Sequence, residues 1–600
     1  MRADVDRRGG PSGFHNNSLA YIRGEGKAAP AEVSTVTSGC ARRGRGRPIR
    51  HGVTSAQEPL DTLPPMVARE LDAAENHAVT TATTTDQEPA PVRDPSRIAR
   101  RVGLTGTLLM AAGGLGAGAL PVPNPLFGLR LLGLPSRNTT IAIAVTYTGI
   151  CLLVLAWLWV GKMLRARGAV PPAPTPAQLA RTAVLWAVPL ALAPPLFSRD
   201  VYSYLAQSAT LARGLDPYVL GPAEALGVDD PLTRSIPTIW RDTPAPYGPL
   251  FLILGRGITA LSGNNVVLGI FEYRLLALAG LGLILWALPK LARRCGLDTG
   301  LAMWLGAANP LVLFHLVSGI HNEALMVGLM LAGFEIGLRA GDRLLDRELL
   351  VGALLIVAAS AIKLPAILAL GFLGMEWARR RGGRISNVVP VAGMFGLLAV
   401  ACYVPLSVGT GVGIGWLKTL DIPQLIRSWM SITTDLGMIA GQVGIVARLG
   451  DHTDSVLAVS RTIGLAASAV LVLLLLFAVL RGRVDAITGM GTGLGAVVLL
   501  GPVVHPWYLL WAAIPLAATR GLPRYRRAAL AASAALALLV PPTGADFQFR
   551  AFQLPLAIVA GLGILLVFLL VLRRHLAGQS GPDIDVLPGR GPVPAPETAP

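Results

Sequence analysis

The stretch V-L-A-V-S-R-T-I-G-L-A-A-S-A-V-L-V-L-L-L-L-F-A-V-L runs from Val456 to Leu480 and is followed at once by Arg481-Gly482-Arg483. As a helix it covers roughly 37 Å at about 1.5 Å per residue, enough to cross the ~30 Å hydrocarbon layer of a bilayer. The basic residues at its end mark a charged face of the membrane. This stretch reads as a transmembrane helix, and it sets the template for the rest of the chain.

Similar apolar stretches recur at roughly 102–122, 139–163, 181–197, 267–291, 300–318, 323–340, 349–362, 364–378, 387–407, 486–504, 507–519, 528–542 and 552–572. With 456–480 they predict an all-α polytopic membrane protein of about 13–14 helices, and an even number puts both ends on one side. Composition agrees: 52% of the 600 residues are hydrophobic, 14% are charged and mean hydropathy is +0.56. A soluble enzyme of this size needs far more surface charge, so that class is excluded. The 68 glycines and 46 prolines suit closely packed transmembrane helices.

The net charge of +17 raises the question of nucleic acid, and its placement answers it. Residues 1–100 hold 14 Lys/Arg against 12 Asp/Glu; the excess lies in short clusters such as Arg293-Arg294, Arg379-Arg380-Arg381 and Arg573-Arg574. Clusters in alternate loops indicate cytoplasmic faces, not a nucleic-acid groove. Residues 1–100 and 577–600, rich in Gly and Pro, are expected to be disordered cytoplasmic tails flanking one membrane domain over 101–576. No cleavable signal peptide opens the chain, so the first apolar helix is expected to direct insertion. Cys40, Cys151, Cys295 and Cys402 lie far apart and predict neither a disulfide framework nor a zinc site.

The remaining loops face outward, and the largest, 198–265 and 408–455, hold the candidate chemistry. The first opens F-S-R-D-V-Y-S-Y, Phe197 through Tyr204. Asp200 at the membrane margin is a candidate general base, with Arg199 beside it and Tyr204 one helical turn on. Ordinary capping at a helix start is the alternative. The loop continues through Asp229-Asp230 to P-Y-G-P-L-F, Pro246 through Phe251, and 250–261 is expected to lie along the outer leaflet as a short helix. Three further elements share this side: His321-Asn322-Glu323 opening a helix, the 416–429 stretch with Lys418, Arg427 and Trp429, and His505-Pro506-Trp507-Tyr508 joining two helices. Lys363 stands in an apolar run directly before Leu364-Pro365, where a helix must break. A cation in that place points into a cavity or snorkels to the surface.

Asp200, the Y-G-P-L-F element, the H-N-E helix start, the K-L-P break and the H-P-W-Y turn, in this order and on one side, resemble the polyprenyl-phosphate-sugar-dependent glycosyltransferases of the GT-C superfamily. The likeness extends over about 100–575 and points to the actinobacterial α-1,6-mannosyltransferases of lipomannan and lipoarabinomannan synthesis. It implies a polyprenyl-phosphate-mannose donor as co-substrate, no cofactor or divalent metal, and a lipid-anchored mannan acceptor at the outer face of the plasma membrane. It also implies Asp200 as the catalytic base. Donor phosphate would meet Arg199, Lys363, Arg427, His321 or His505, and Tyr204, Tyr247, Glu323, Trp429, Trp507 and Tyr508 would contact sugar or acceptor. The partners expected are thus the bilayer, the donor and the acceptor, with no nucleic acid. The alternatives are a polyprenyl-phosphate-arabinose transferase, or a polyprenyl-linked sugar flippase or transporter. A flippase would spread its charges over two related halves, whereas here they gather at one face.

Overall fold

A computed structural model describes residues 95–166, 173–521, 523–544 and 553–577. The expected tails fall almost wholly outside the described residues, but the first helix already begins at Pro95, inside the segment assigned to the N-terminal tail. Among the described residues the regular elements are all helical.

The main helices are α1 Pro95–Ala117, α2 Thr139–Arg165, α3 Pro176–Leu192, α4 Asp200–Ala212, α5 Pro249–Ser262, α6 Val266–Arg294, α7 Thr299–Gly306 and α8 Glu323–Gly337. Then come α9 Arg347–Ser360, α10 Leu368–Arg380, α11 Ile385–Thr410, α12 Ile432–Val446, α13 Thr453–Leu480, α14 Ala486–Leu499, α15 Leu510–Ala517, α16 Pro523–Leu539 and α17 Gln553–Ala577. Every apolar stretch marked in the sequence carries a helix. Among the described residues five helices are by themselves long and apolar enough to span, or six with one bent pair, in keeping with a polytopic membrane protein. Several of the other stretches are interrupted by turns. The 507–519 stretch, for instance, yields only the eight residues of α15, about 12 Å of helix, because Pro506 and the H-P-W-Y turn occupy its start.

Local sequence fixes the ends. Thr175 and Gln178 form a reciprocal capping box at α3, and Asn265, Asp298, Asp346, Ser431 and Asp485 each accept a backbone N–H of the helix they precede. Lys162 and Arg165 close α2, Arg293 and Arg294 close α6, and Arg379 and Arg380 close α10, cations at the negative ends of helix dipoles.

Glycine sets how closely the helices approach. A Cβ on Gly106 of α1 would lie 2.7 Å from the Gly149 carbonyl oxygen of α2, and one on Gly149 would lie 2.4 Å from that of Gly106. Gly333 of α8 and Gly352 of α9 meet in the same way, at 2.5 and 2.6 Å. Such backbone contact maximises dispersion where no hydrophobic driving force separates helix from lipid. The resulting core runs from Trp157 and Trp186 through Phe314 and Phe334 to Phe372.

Candidate active site

The site forms where two helical runs break at the same end of the bundle. In the first, a π-helical turn Val312–Ser318 meets α8 at a bend of 109°, and Gly319-Ile320-His321-Asn322 is the corner. Ile320 sits at φ 58° and Phe197, three residues before Asp200, at φ 67°. A left-handed backbone costs a β-branched or aromatic residue on the order of 1–3 kcal/mol, so the surrounding packing holds both corners in place. Phe197 stacks on Phe314 at 4.5 Å, which locks one corner against the other.

In the second, Lys363 adopts an extended backbone (φ −150°) between α9 and the 3-10 turn Leu364–Ile367. Pro365 prevents the helix from continuing. The break expected at K-L-P is therefore present.

The two corners bring four charged or titratable groups together. His321 Nδ1 lies 3.3 Å from Asp200 Oδ2 and 4.0 Å from Glu323 Oε2. Glu323 Oε1 in turn accepts a hydrogen bond from Lys363 Nζ. His321 and Glu323 are fully buried, Lys363 nearly so, and the Asp200 side chain keeps 20% exposure, so the row opens at the aspartate. Capping does not account for these groups. Asp200 Nα is served by Ser198 Oγ, and neither Arg199 nor Asn322 makes a side-chain cap. Burial alone would raise the Asp200 carboxyl, but the contact and charge of His321, with His505 and Lys363 behind it, outweigh burial and hold it below its ordinary range. Burial pushes His505 down to about 4, leaving a neutral imidazole near pH 7.

Aromatic side chains wall the row. The Trp507 ring stacks on His321 at 3.9 Å and on His505 at 4.5 Å. Lys363 Nζ lies 4.3 Å from the Tyr508 ring centroid and 5.4 Å from that of Trp511, a cation held over two π faces. Tyr204 and Tyr247 instead pack into a knot with Phe251 and Tyr273, centroids 5.0 to 5.6 Å apart. Both are buried, so they brace the outer loop and offer little ring surface to a sugar. The Y-G-P-L-F element reaches the lysine through its backbone: Gly248 N donates to Ile362 O and Leu250 N to Ala361 O, both at 3.0 Å. A Cβ on Gly248 would lie 2.2 Å from Ala361 O, which explains the glycine.

Other candidates lie elsewhere. Arg427 pairs with Asp454 at 2.8 Å in an exposed position, and Trp429 is 72% exposed. Neither side chain joins the row, although Ser428 between them hydrogen-bonds Val504 next to His505. Arg199 donates to Ser235 O and lies over Tyr202, fastening the outer loop. Asp230 caps the short helix Pro231–Ser235 and pairs with Arg213, a structural duty. The 250–261 stretch is helical as expected, within α5, with Arg256 exposed and Phe251 and Leu252 buried. Among the described residues no three His, Cys, Asp or Glu are placed to hold a metal ion.

Several polar residues beside the row were not singled out from sequence. Ser203 and Gln207 follow Asp200 at i+3 and i+7 on one face of α4, and Ser203 Oγ and Gln207 Oε1 are buried without a hydrogen-bond partner. The same is true of both side-chain amide atoms of Asn322, both ring nitrogens of His315, His321 Nε2 and Ser318 Oγ. Native proteins leave few such atoms unsatisfied, and a group of them beside a carboxylate suits a polyhydroxylated ligand. Arg274 was also missed: buried in α6, it donates to Ala191 O and Ala193 O at the end of α3 and so anchors the approach to Asp200. A charge inside an apolar stretch was the signal for it.

Comparison with known proteins carries the argument to the family. Residues 100–379 match the family model described as alpha-(1->6)-mannopyranosyltransferase, N-terminal domain, and residues 433–571 match an MptB C-terminal domain. The chain is 46% identical to a Mycolicibacterium smegmatis protein named "Probable alpha-(1->6)-mannopyranosyltransferase", over 83% of this chain and 92% of that one. It is 43% identical to an alpha-(1->6)-mannopyranosyltransferase of Mycobacterium tuberculosis, covering 79% and 87% of the two chains. With alpha-(1->6)-mannopyranosyltransferase B of Corynebacterium glutamicum the figures are 38% identity, 74% and 77%. No solved structure matches the chain. An all-helical membrane protein with this cluster at the breaks of its helices, and with relatives so similar over most of their length, belongs to the alpha-(1->6)-mannopyranosyltransferase family.

Proposed function

We propose that this protein transfers mannose from polyprenyl-phosphate-mannose to the 6-hydroxyl of a growing α-1,6-mannan on a lipid-anchored acceptor, at the outer face of the plasma membrane. The observation that carries the reading is the row Asp200, His321, Glu323, Lys363, a carboxylate at its open end and a buried cation at the other.

Mannose leaves a β-linked phosphate and ends α-linked, so the displacement inverts and needs one base. Asp200 takes the proton of the acceptor O6 as that oxygen attacks C1 of mannose. His321 steadies the carboxylate through its Nδ1 contact. The C1–O bond to phosphate breaks with its electron pair, leaving polyprenyl phosphate with one more negative charge. Lys363 faces that charge, with Glu323 fixing its position, so the leaving group needs no proton. Ser203, Gln207 and Asn322 offer unused donors and acceptors to the sugar hydroxyls. No cofactor or metal enters this scheme. The flippase alternative has no use for a one-sided row of this kind.

The test is transfer of labelled mannose from polyprenyl-phosphate-mannose to a short α-1,6-mannan acceptor by membranes at matched expression. Wild type is expected to transfer, and Asp200→Asn to lose on the order of 10²–10⁴-fold, the usual worth of a general base. Full activity in Asp200→Asn would move the search for a base to Glu323 and to the exposed Asp242. Transfer from polyprenyl-phosphate-arabinose alone would replace the mannose donor.

A further inference from the structure

At the end of the bundle remote from Asp200, five chain segments line a cavity of about 690 Å³. Glu323 and Arg294 mark the two ends by position: α8 runs 15 residues, about 22 Å, from Glu323 at the row to Gly337, next to the residue whose carbonyl Arg294 contacts. Four arginines line the cavity, Arg294, Arg379, Arg380 and Arg520, against two carboxylates, Glu376 and Asp485. Arg294 is in addition paired with Glu335, so the formal balance is +1.

Arg294 is engaged through all three nitrogens, to Glu335 and Leu338 O, whereas the other three guanidiniums keep nitrogens unengaged. Arg379 grips Glu376 through Nε and Nη2, and Arg380 donates Nε to Glu376 and Nη1 to the Leu338 and Ala340 carbonyls. Arg520 donates Nε to Gly296 O. Among the described residues no hydrogen bond engages Nη1 of Arg379, Nη2 of Arg380 or the two Nη groups of Arg520. These cations have already given up part of their side-chain freedom, and from exposed positions they present unengaged donors along one recess. A second recess of about 450 Å³, lined by Lys290, Arg293 and Arg339, adjoins it through Arg294. Capping of helix ends explains the fastened edges; it does not explain why the remaining edges gather on one cavity.

We infer that this cavity binds a phosphate group, the headgroup of an anionic phospholipid or a free phosphate. By the distribution of basic loops it sits at the cytoplasmic headgroup layer, where anionic lipid concentrates. Arg379 and Arg520 supply charge-assisted hydrogen bonds to the phosphate oxygens. The inference is independent of the reaction at Asp200.

The experiment reconstitutes the full chain in phosphatidylcholine nanodiscs and titrates in phosphatidylglycerol, reading retained lipid by native mass spectrometry and the shift in unfolding temperature. Arg379→Gln with Arg520→Gln is compared with Arg130→Gln with Arg256→Gln, which removes the same charge from exposed sites elsewhere. The expected result is phosphatidylglycerol retention about tenfold weaker or more in the cavity variant and unchanged in the control. Equal retention in both overturns the inference. If the double variant does not fold, Arg520→Gln alone carries the comparison. Competition by inorganic phosphate at millimolar concentration assigns the site to free phosphate, and its absence assigns it to the lipid headgroup.

Discussion

At the scale of the residue, the Glu323–Lys363 pair separates holding the fold from performing the reaction. Lys363→Met alone leaves a fully buried carboxylate without its cation, and removing one partner of such a pair costs about 3–5 kcal/mol. Glu323→Leu combined with Lys363→Met removes both charges, so thermal unfolding should recover toward wild type while mannosyl transfer stays low. Recovery of transfer along with stability would take Lys363 out of the chemistry. Asp200 carries a pH signature. Its carboxyl is held below the ordinary range, so the base form persists as pH falls and the acid limb of kcat/KM lies below that of an ordinary aspartate. His321→Asn removes the main group holding it down, and the limb should move to higher pH; an unmoved limb would detach His321 from Asp200. All four residues of the row were legible in the sequence as candidates, because each is an ionisable group at a membrane margin or inside an apolar run. That Asp200 and Lys363 belong to one row was not legible, since a hundred and sixty residues separate them and only two backbone corners bring them together. Arg427 and Trp429 had the same sequence credentials, yet Asp454 claims the first and solvent the second.

At the scale of the element, the outer loop and the K-L-P break are joined by main-chain hydrogen bonds. Gly248→Ala places a methyl group 2.2 Å from Ala361 O, and the two segments must separate. Membrane insertion and helix content should survive, while transfer falls tenfold or more; wild-type transfer would show that the tie has no part in placing Lys363. The helices themselves could be read almost throughout, since apolar length and caps such as Thr175 and Asp485 are local signals. The interruptions were harder. Nothing local in V-L-F-H-L-V-S announces a π-helical turn, because its geometry is imposed by the packing of Phe314 on Phe197. Counting apolar stretches therefore found the helices but not the turns that interrupt several of them.

At the scale of the whole molecule, the basic clusters and the row should lie on opposite faces of the membrane. In intact cells a membrane-impermeant maleimide is expected to label Trp429→Cys, which is 72% exposed, and to leave Arg481→Cys unlabelled until the membrane is opened. The reverse pattern would invert the proposed orientation and remove the outer-face donor with it. The molecule's wall has a further consequence. Helix α2 buries 67% of its apolar window inside the protein, whereas α13 buries 28%, α11 17% and α17 only 11%. Those three helices leave most of their apolar surface uncovered by their own chain, so acyl chains supply much of the contact that protein supplies elsewhere. An unfolding temperature measured for this enzyme is accordingly a joint property of polypeptide and amphiphile, and replacing one detergent by another changes the molecule under study as surely as a substitution does.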